Sequence, residues 1–101
     1  MMNQSQMLSV VVDEASRDGV IDLLMTMDDI SGFTLSTVNG FSREHSQYDI
    51  AEQVAGYRQL FRIDILHEAE QYQALLAGMR DLKAASSIRY WVTPVIETGK
   101  L

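Results

Sequence analysis

The chain has 101 residues, 47% of them apolar and 22% charged, with one proline and no cysteine, a make-up that fits one compact domain over residues 1–101 and leaves no room for a second. Eight Lys and Arg against fourteen Asp and Glu give a net charge of −6, which repels a phosphate backbone and argues against nucleic acid as a partner. The lack of cysteine excludes a disulfide framework, a thiolate zinc site and a cysteine nucleophile.

The opening residues 1–6 carry no positive charge, and the apolar run at 7–12 is too short for a secretory signal. No apolar stretch approaches the roughly 18 residues of a spanning helix, so a cytoplasmic protein without direct membrane insertion is expected. The β-branched run Leu8-Ser9-Val10-Val11-Val12 predicts a first strand. Val20, Leu24 and Met27 then recur at helical spacing and predict a helix over about 16–27, capped by Asp13 or Ser16, with Ser31-Gly32 supplying the break after it. Phe33-Thr34-Leu35-Ser36-Thr37-Val38 alternates apolar and hydroxyl residues, the period of a strand.

From Asn39 to Gly56 only scattered Ile50 and Val54 interrupt turn, Gln and charged residues, so the segment cannot bury a continuous face. A projecting loop over about 42–57 is expected, and loops of that length in small domains are disproportionately functional. Leu60-Phe61-Arg62-Ile63-Asp64-Ile65-Leu66 resumes strand character, with Phe61, Ile63 and Ile65 on one face. Tyr72, Leu75, Leu76, Met79 and Leu82 mark one face of a helix over about 69–83. The last strand, about 88–96, contains Pro94, which lacks a ladder donor and therefore belongs at an edge, an end or a bulge.

The order β-α-β-β-α-β predicts an α+β, ferredoxin-like sandwich: a four-stranded antiparallel sheet, two helices on one face and a long loop between strands two and three. Strands one, three and four are apolar on both sides of their pleat, so oligomerisation is expected to cover the second face.

The stretch Gly32-Phe33-Thr34-Leu35-Ser36-Thr37-Val38-Asn39-Gly40-Phe41-Ser42-Arg43 resembles the PII signal-transduction family, the nitrogen regulatory P-II proteins, whose pattern there reads Gly-Met-Thr-Val-Ser-Glu-Val-Arg-Gly-Phe-Gly-Arg. The strand Arg62-Ile63-Asp64-Ile65 and the run Arg89-Tyr90-Trp91-Val92-Thr93-Pro94-Val95, similar to the family's Lys-Ile-Phe-Val-Ser-Pro-Val, extend the likeness to about residues 7–96. The chain also resembles a small, divergent PII-like subfamily that is often encoded beside heavy-metal efflux pumps. The resemblance implies a non-enzymatic homotrimer that binds adenine nucleotide between subunits and presents a T-loop to a partner, here a membrane transporter or efflux protein. On this pattern Gly40, Phe41, Arg43, Glu44, Lys83 and Arg89 are the ligand-binding candidates, and Tyr48, Asp49, Ile50 and Val54 form the partner-reading part of the loop.

Two positions depart from the family. Glu44 stands where the family has glutamine, placing a carboxylate where phosphate would need a cation between. The family's Thr-Gly-Lys-Ile-Gly-Asp-Gly-Lys is replaced by Lys83-Ala84-Ala85-Ser86-Ser87-Ile88-Arg89, without the glycines that let backbone N–H groups approach phosphate. The family's arginine-bearing tail is likewise expected to be missing beyond Leu101.

No nucleophile with a base and no carboxylate pair in catalytic spacing is legible, so a non-enzyme is expected. A ferredoxin-like acylphosphatase would need an anion loop after the first strand, where Asp13 and Glu14 would repel phosphate. The alternative class is a small metal-binding or metal-tolerance protein, with His45 beside Glu44 and Asp49, and His67 beside Glu68 and Glu70, as the candidate ligands. Met25, Met27 and Met79 fall within the predicted helices, where methionine fills gaps in cores.

Overall fold

The computed structural model describes residues 4–41 and 56–101. Among them the elements are β1 Ser5–Val12, α1 Glu14–Met25, β2 Phe33–Gly40, β3 Arg58–Glu68, α2 Tyr72–Arg80 and β4 Arg89–Val95, with 3-10 turns at Ala69–Gln71 and Ala85–Ser87. The strands form one antiparallel sheet in the order β2-β3-β1-β4, the ferredoxin-like arrangement. Pro94 lies on β4, which among the described residues pairs only with β1, so the residue that cannot donate to a ladder sits on an edge strand as its chemistry requires.

Strand alternation builds the core. Leu8, Val10 and Val12 of β1 stand opposite Ile65, Ile63 and Phe61 of β3, and all but Phe61 are buried. Val20 and Leu24 from α1 and Leu75, Leu76 and Met79 from α2 close over this face. Gly78 sets the approach of the helices: a Cβ there would lie 3.2 Å from Leu23 Cδ1 and 3.3 Å from Leu23 Cδ2.

Helix α1 begins where Asp13 accepts a 2.9 Å hydrogen bond from the Ser16 amide, and Glu14 complements the positive end of the helix dipole. It stops at Met25, well short of Ser31-Gly32, because the Thr26 hydroxyl donates to the Leu23 carbonyl at 2.6 Å and the Met27 and Ile30 amides close tight turns. Met25 consequently ends the helix 71% exposed and Met27 falls beyond it; Met79 alone of the three is buried in a helix.

The predicted second helix divides into a 3-10 turn and the α-helix. Gln71 accepts from the Glu68 amide at 2.8 Å and donates to the Asp29 carbonyl at 2.9 Å, tying the entry of α2 to the segment after α1.

The sheet face away from the helices is mixed rather than uniformly apolar. Ser9 is 1% exposed there because its cross-strand neighbours Asp64 and Trp91 flank it. Its hydroxyl donates to Asp64, which also accepts a 3.0 Å ion-paired hydrogen bond from Arg62, and the Arg62 guanidinium lies 5.4 Å from the Trp91 ring centroid. Met7, Val11, Leu60 and Leu66 stand half-buried around this polar centre.

Candidate functional site

The two opposite edges of one end of the sheet carry the candidate residues, since Val11 pairs with Arg62 on one side and Arg89 on the other. At the first, β2 and β3 run paired from Phe33 opposite Ile65 to Gly40 opposite Arg58, so both ends of their connection leave side by side. A Cβ on Gly40 would lie 2.5 Å from Leu60 Cδ1 and 3.5 Å from the Arg58 carbonyl oxygen, so glycine is what allows Leu60 to fold over the strand end. Phe41 follows, 75% exposed, its ring 5.8 Å from that of Tyr57. Arg43, Glu44, His45, Tyr48, Asp49, Ile50 and Val54 lie outside the described residues.

At the second, the turn from Lys83 to Arg89 replaces a glycine-rich loop. Ala84 adopts the left-handed conformation, φ 61 and ψ 27, that glycine takes at little cost. The Ala85, Ser87 and Ile88 amides donate to the Leu82, Ala84 and Ala85 carbonyls at 3.2, 3.0 and 3.0 Å, and the Ser87 hydroxyl donates to the Ala84 carbonyl at 2.8 Å. Those N–H groups are therefore spent within the turn and not aimed at a ligand, while the Lys83 and Arg89 side chains at its two ends are exposed. Replacing Ala84 by glycine should remove about 1–2 kcal/mol of left-handed strain against about 0.4–1 kcal/mol of added chain entropy. The expected net gain of about 0.5–1 kcal/mol is measurable by urea unfolding; a loss would show that the turn is not held in this conformation.

His67, placed by sequence at a helix start, is instead the penultimate residue of β3 and 3% exposed. Its Nδ1 lies 2.8 Å from the Glu68 carbonyl oxygen and its ring stacks on Tyr72 at 6.1 Å, while Nε2 is buried without a partner. Gln6, its register partner on β1, has an Oε1 in the same state. Among the described residues no three His, Cys, Asp or Glu side chains group as a metal site would require. Arg17, in the segment that an acylphosphatase would use for its anion, lies over the Phe61 ring at 4.6 Å and pairs with Asp18 at 3.2 Å.

Behind the Lys83 to Arg89 turn, α2, β1 and β4 enclose a cleft of about 410 Å³ whose lining includes Leu76, Met79, Arg80, Ile88 and Tyr90. The helical periodicity assigns Leu76 and Met79 to the core and does not single out Arg80 or Tyr90. Leu76, Met79 and Arg80 share a helix face at i, i+3 and i+4, and Ile88 and Tyr90 lie two apart, but nothing in the sequence joins the two sets.

Residues 2–101 match the model of a family described as a protein of unknown function, DUF3240. A crystal structure of a DUF3240 family protein from Shewanella baltica superposes with a TM-score of 0.81 at 31% identity, covering 99% of each chain. CPII, a nitrogen regulatory PII-like protein from Thiomonas intermedia whose structure is bound to ADP, AMP and bicarbonate, matches with a TM-score of 0.71 at 19% identity over 97% of this chain and 96% of that one. A PII-like protein from Thermus thermophilus matches with a TM-score of 0.63 at 12% identity, over 91% and 87% of the two chains. No curated protein matches the sequence. The likeness to the two PII-like structures is one of fold.

Proposed function

The chain belongs to the DUF3240 family, and from that membership and the fold it shares with PII-like proteins we propose that it is a non-enzymatic, PII-like regulator. It acts as a cytoplasmic homotrimer, binds a small anionic ligand where subunits meet, and presents the β2–β3 connection to a partner. The partner is a membrane transporter or efflux protein; among the described residues no helix is long and apolar enough to cross a membrane, so the link to the membrane runs through that partner.

One observation carries the reading. Two long paired strands deliver both ends of the connection to one point, where Gly40 lets Leu60 close over the sheet and Phe41 faces Tyr57. Paired strands of this kind supply the fixed base that a signalling loop needs. The half-buried apolar residues around Ser9, Asp64 and Arg62 support coverage of that face by neighbouring subunits. Lys83 and Arg89 supply charge to the interface ligand, by side chain and not by a backbone cradle.

Adenine nucleotide is the ligand to test first, since CPII is bound to ADP and AMP. In a thermal-shift titration of the pure protein, ADP or AMP should give a saturable rise worth about 2.7 kcal/mol at one hundred times Kd, on the order of 10 °C. The rise should disappear in a variant carrying both Lys83→Gln and Arg89→Gln. No rise with either nucleotide would overturn nucleotide sensing.

A second reading, a small metal-binding protein, has the unpartnered Nε2 of His67 in its favour. A rise with zinc or copper alone, abolished by His67→Gln, would select it.

A further inference from the structure

We propose that the cleft behind the Lys83 to Arg89 turn is a second ligand site, for a small amphipathic carboxylate. Its volume, about 410 Å³, lies within the roughly 300–1,000 Å³ of small-molecule pockets. Val10, Leu76, Met79 and Ile88 give it an apolar floor, in which Val10 is 1% and Leu76 and Met79 each 6% exposed. Such a floor takes hydrocarbon and offers nothing to a polar body.

The polar groups of the cleft are of one kind. Arg80, Ser86 and Tyr90 are the polar residues of its lining, and none of these three side chains has a hydrogen-bond or ion-pair partner among the described residues. An arginine without a carboxylate is notable in a chain with fourteen Asp and Glu and a net charge of −6. A guanidinium and two hydroxyl groups carried by lining residues suit an anionic head group. A single guanidinium, next in sequence to Asp81 and at the negative end of the α2 dipole, matches one negative charge better than the two of a phosphate monoester. An apolar body with one carboxylate satisfies both halves of the cleft.

The inference does not rest on the subunit-interface reading, because its premises are the volume and the lining of this cleft. It connects to that reading through the turn: Ala85, Ser86 and Ile88 line the cleft, while Lys83 and Arg89 flank the same segment. A ligand packed against the turn would hold it in place.

Octanoate is the probe, titrated into the full-length protein and followed by backbone amide NMR, with octanol and hexanoate as comparisons. Octanoate should produce saturable shifts centred on Leu76, Met79, Ser86, Ile88 and Tyr90. Hexanoate, two methylenes shorter, should bind more weakly by about fourfold per methylene. Arg80→Gln should weaken octanoate about tenfold and leave octanol unchanged. Ser86→Trp, at an exposed position that tolerates a large side chain, should fill the cleft and abolish binding while the remaining spectrum stays native. Non-saturating shifts scattered over the surface would overturn the proposal. So would octanol binding as tightly as octanoate, or undiminished binding by a folded Ser86→Trp protein. ADP binding lost with octanoate binding intact, or the reverse, separates failure of one site from failure of the other.

Discussion

Ile63→Ala should lower the unfolding free energy by about 3–4 kcal/mol and the melting temperature by at least roughly 10 °C. Ile63 is fully buried, and it stands between Val10 on β1 and Leu35 on β2, beneath the helices. Truncation removes three carbon atoms from a place where the sheet is anchored on both sides and cannot collapse to fill the void. Ile63→Val, which removes one methyl, should cost about 0.5–1.5 kcal/mol and serves as the graded control. Urea unfolding at fixed protein concentration measures both, and the slope should be unchanged, since neither variant alters the surface exposed on unfolding. A loss below about 1 kcal/mol for alanine would place Ile63 outside the packed centre.

Trp91→Asp should convert the proposed trimer into a monomer. Light scattering would then report a mass near 11.4 kDa in place of about three times that value. Trp91 is 40% exposed on the sheet face away from the helices, with Arg62 stacked over its ring. Aromatic and arginine side chains of this kind anchor interfaces, where truncation commonly costs about 2–4 kcal/mol. Aspartate adds an uncompensated charge to a face where Asp64 already holds the Arg62 guanidinium. Trp91→Phe should remain trimeric because it keeps an aromatic face for the cation. A trimeric Trp91→Asp protein, or a monomeric wild type, would remove this face from the assembly.

The element order was legible because each strand and helix carries its own period, and Pro94 confined its place to an edge, an end or a bulge, of which the sheet order shows the edge. Helix ends were less so. The halt of α1 at Met25 depends on one hydroxyl, that of Thr26, turning back to Leu23, and threonine in a helical pattern carries no such message by itself. Burial depth also escaped the pattern: Ser9 sits on the outward face yet is closed in by Asp64 and Trp91 from two different strands. Within the candidate site, motif matching reached Gly40 and Phe41, and the structure adds the contact with Leu60 that gives Gly40 its physical role. The cleft was out of reach because Val10, Arg80 and Tyr90 come from separate elements that only the sheet order brings together.

Pro94 bears on the size that an assembly of these chains can reach. An exposed sheet edge is a template on which further strands could add without limit. On β4 that template is interrupted, since an incoming strand finds no N–H at Pro94 and meets the Arg89 charge at the other end. Growth by continued strand addition is therefore discouraged along this edge, while association through the broad face of the sheet is left open. Rotation about that face can return to its starting point after a few copies. One proline thus disfavours fibre growth along this edge and leaves the face of the sheet to the proposed trimer.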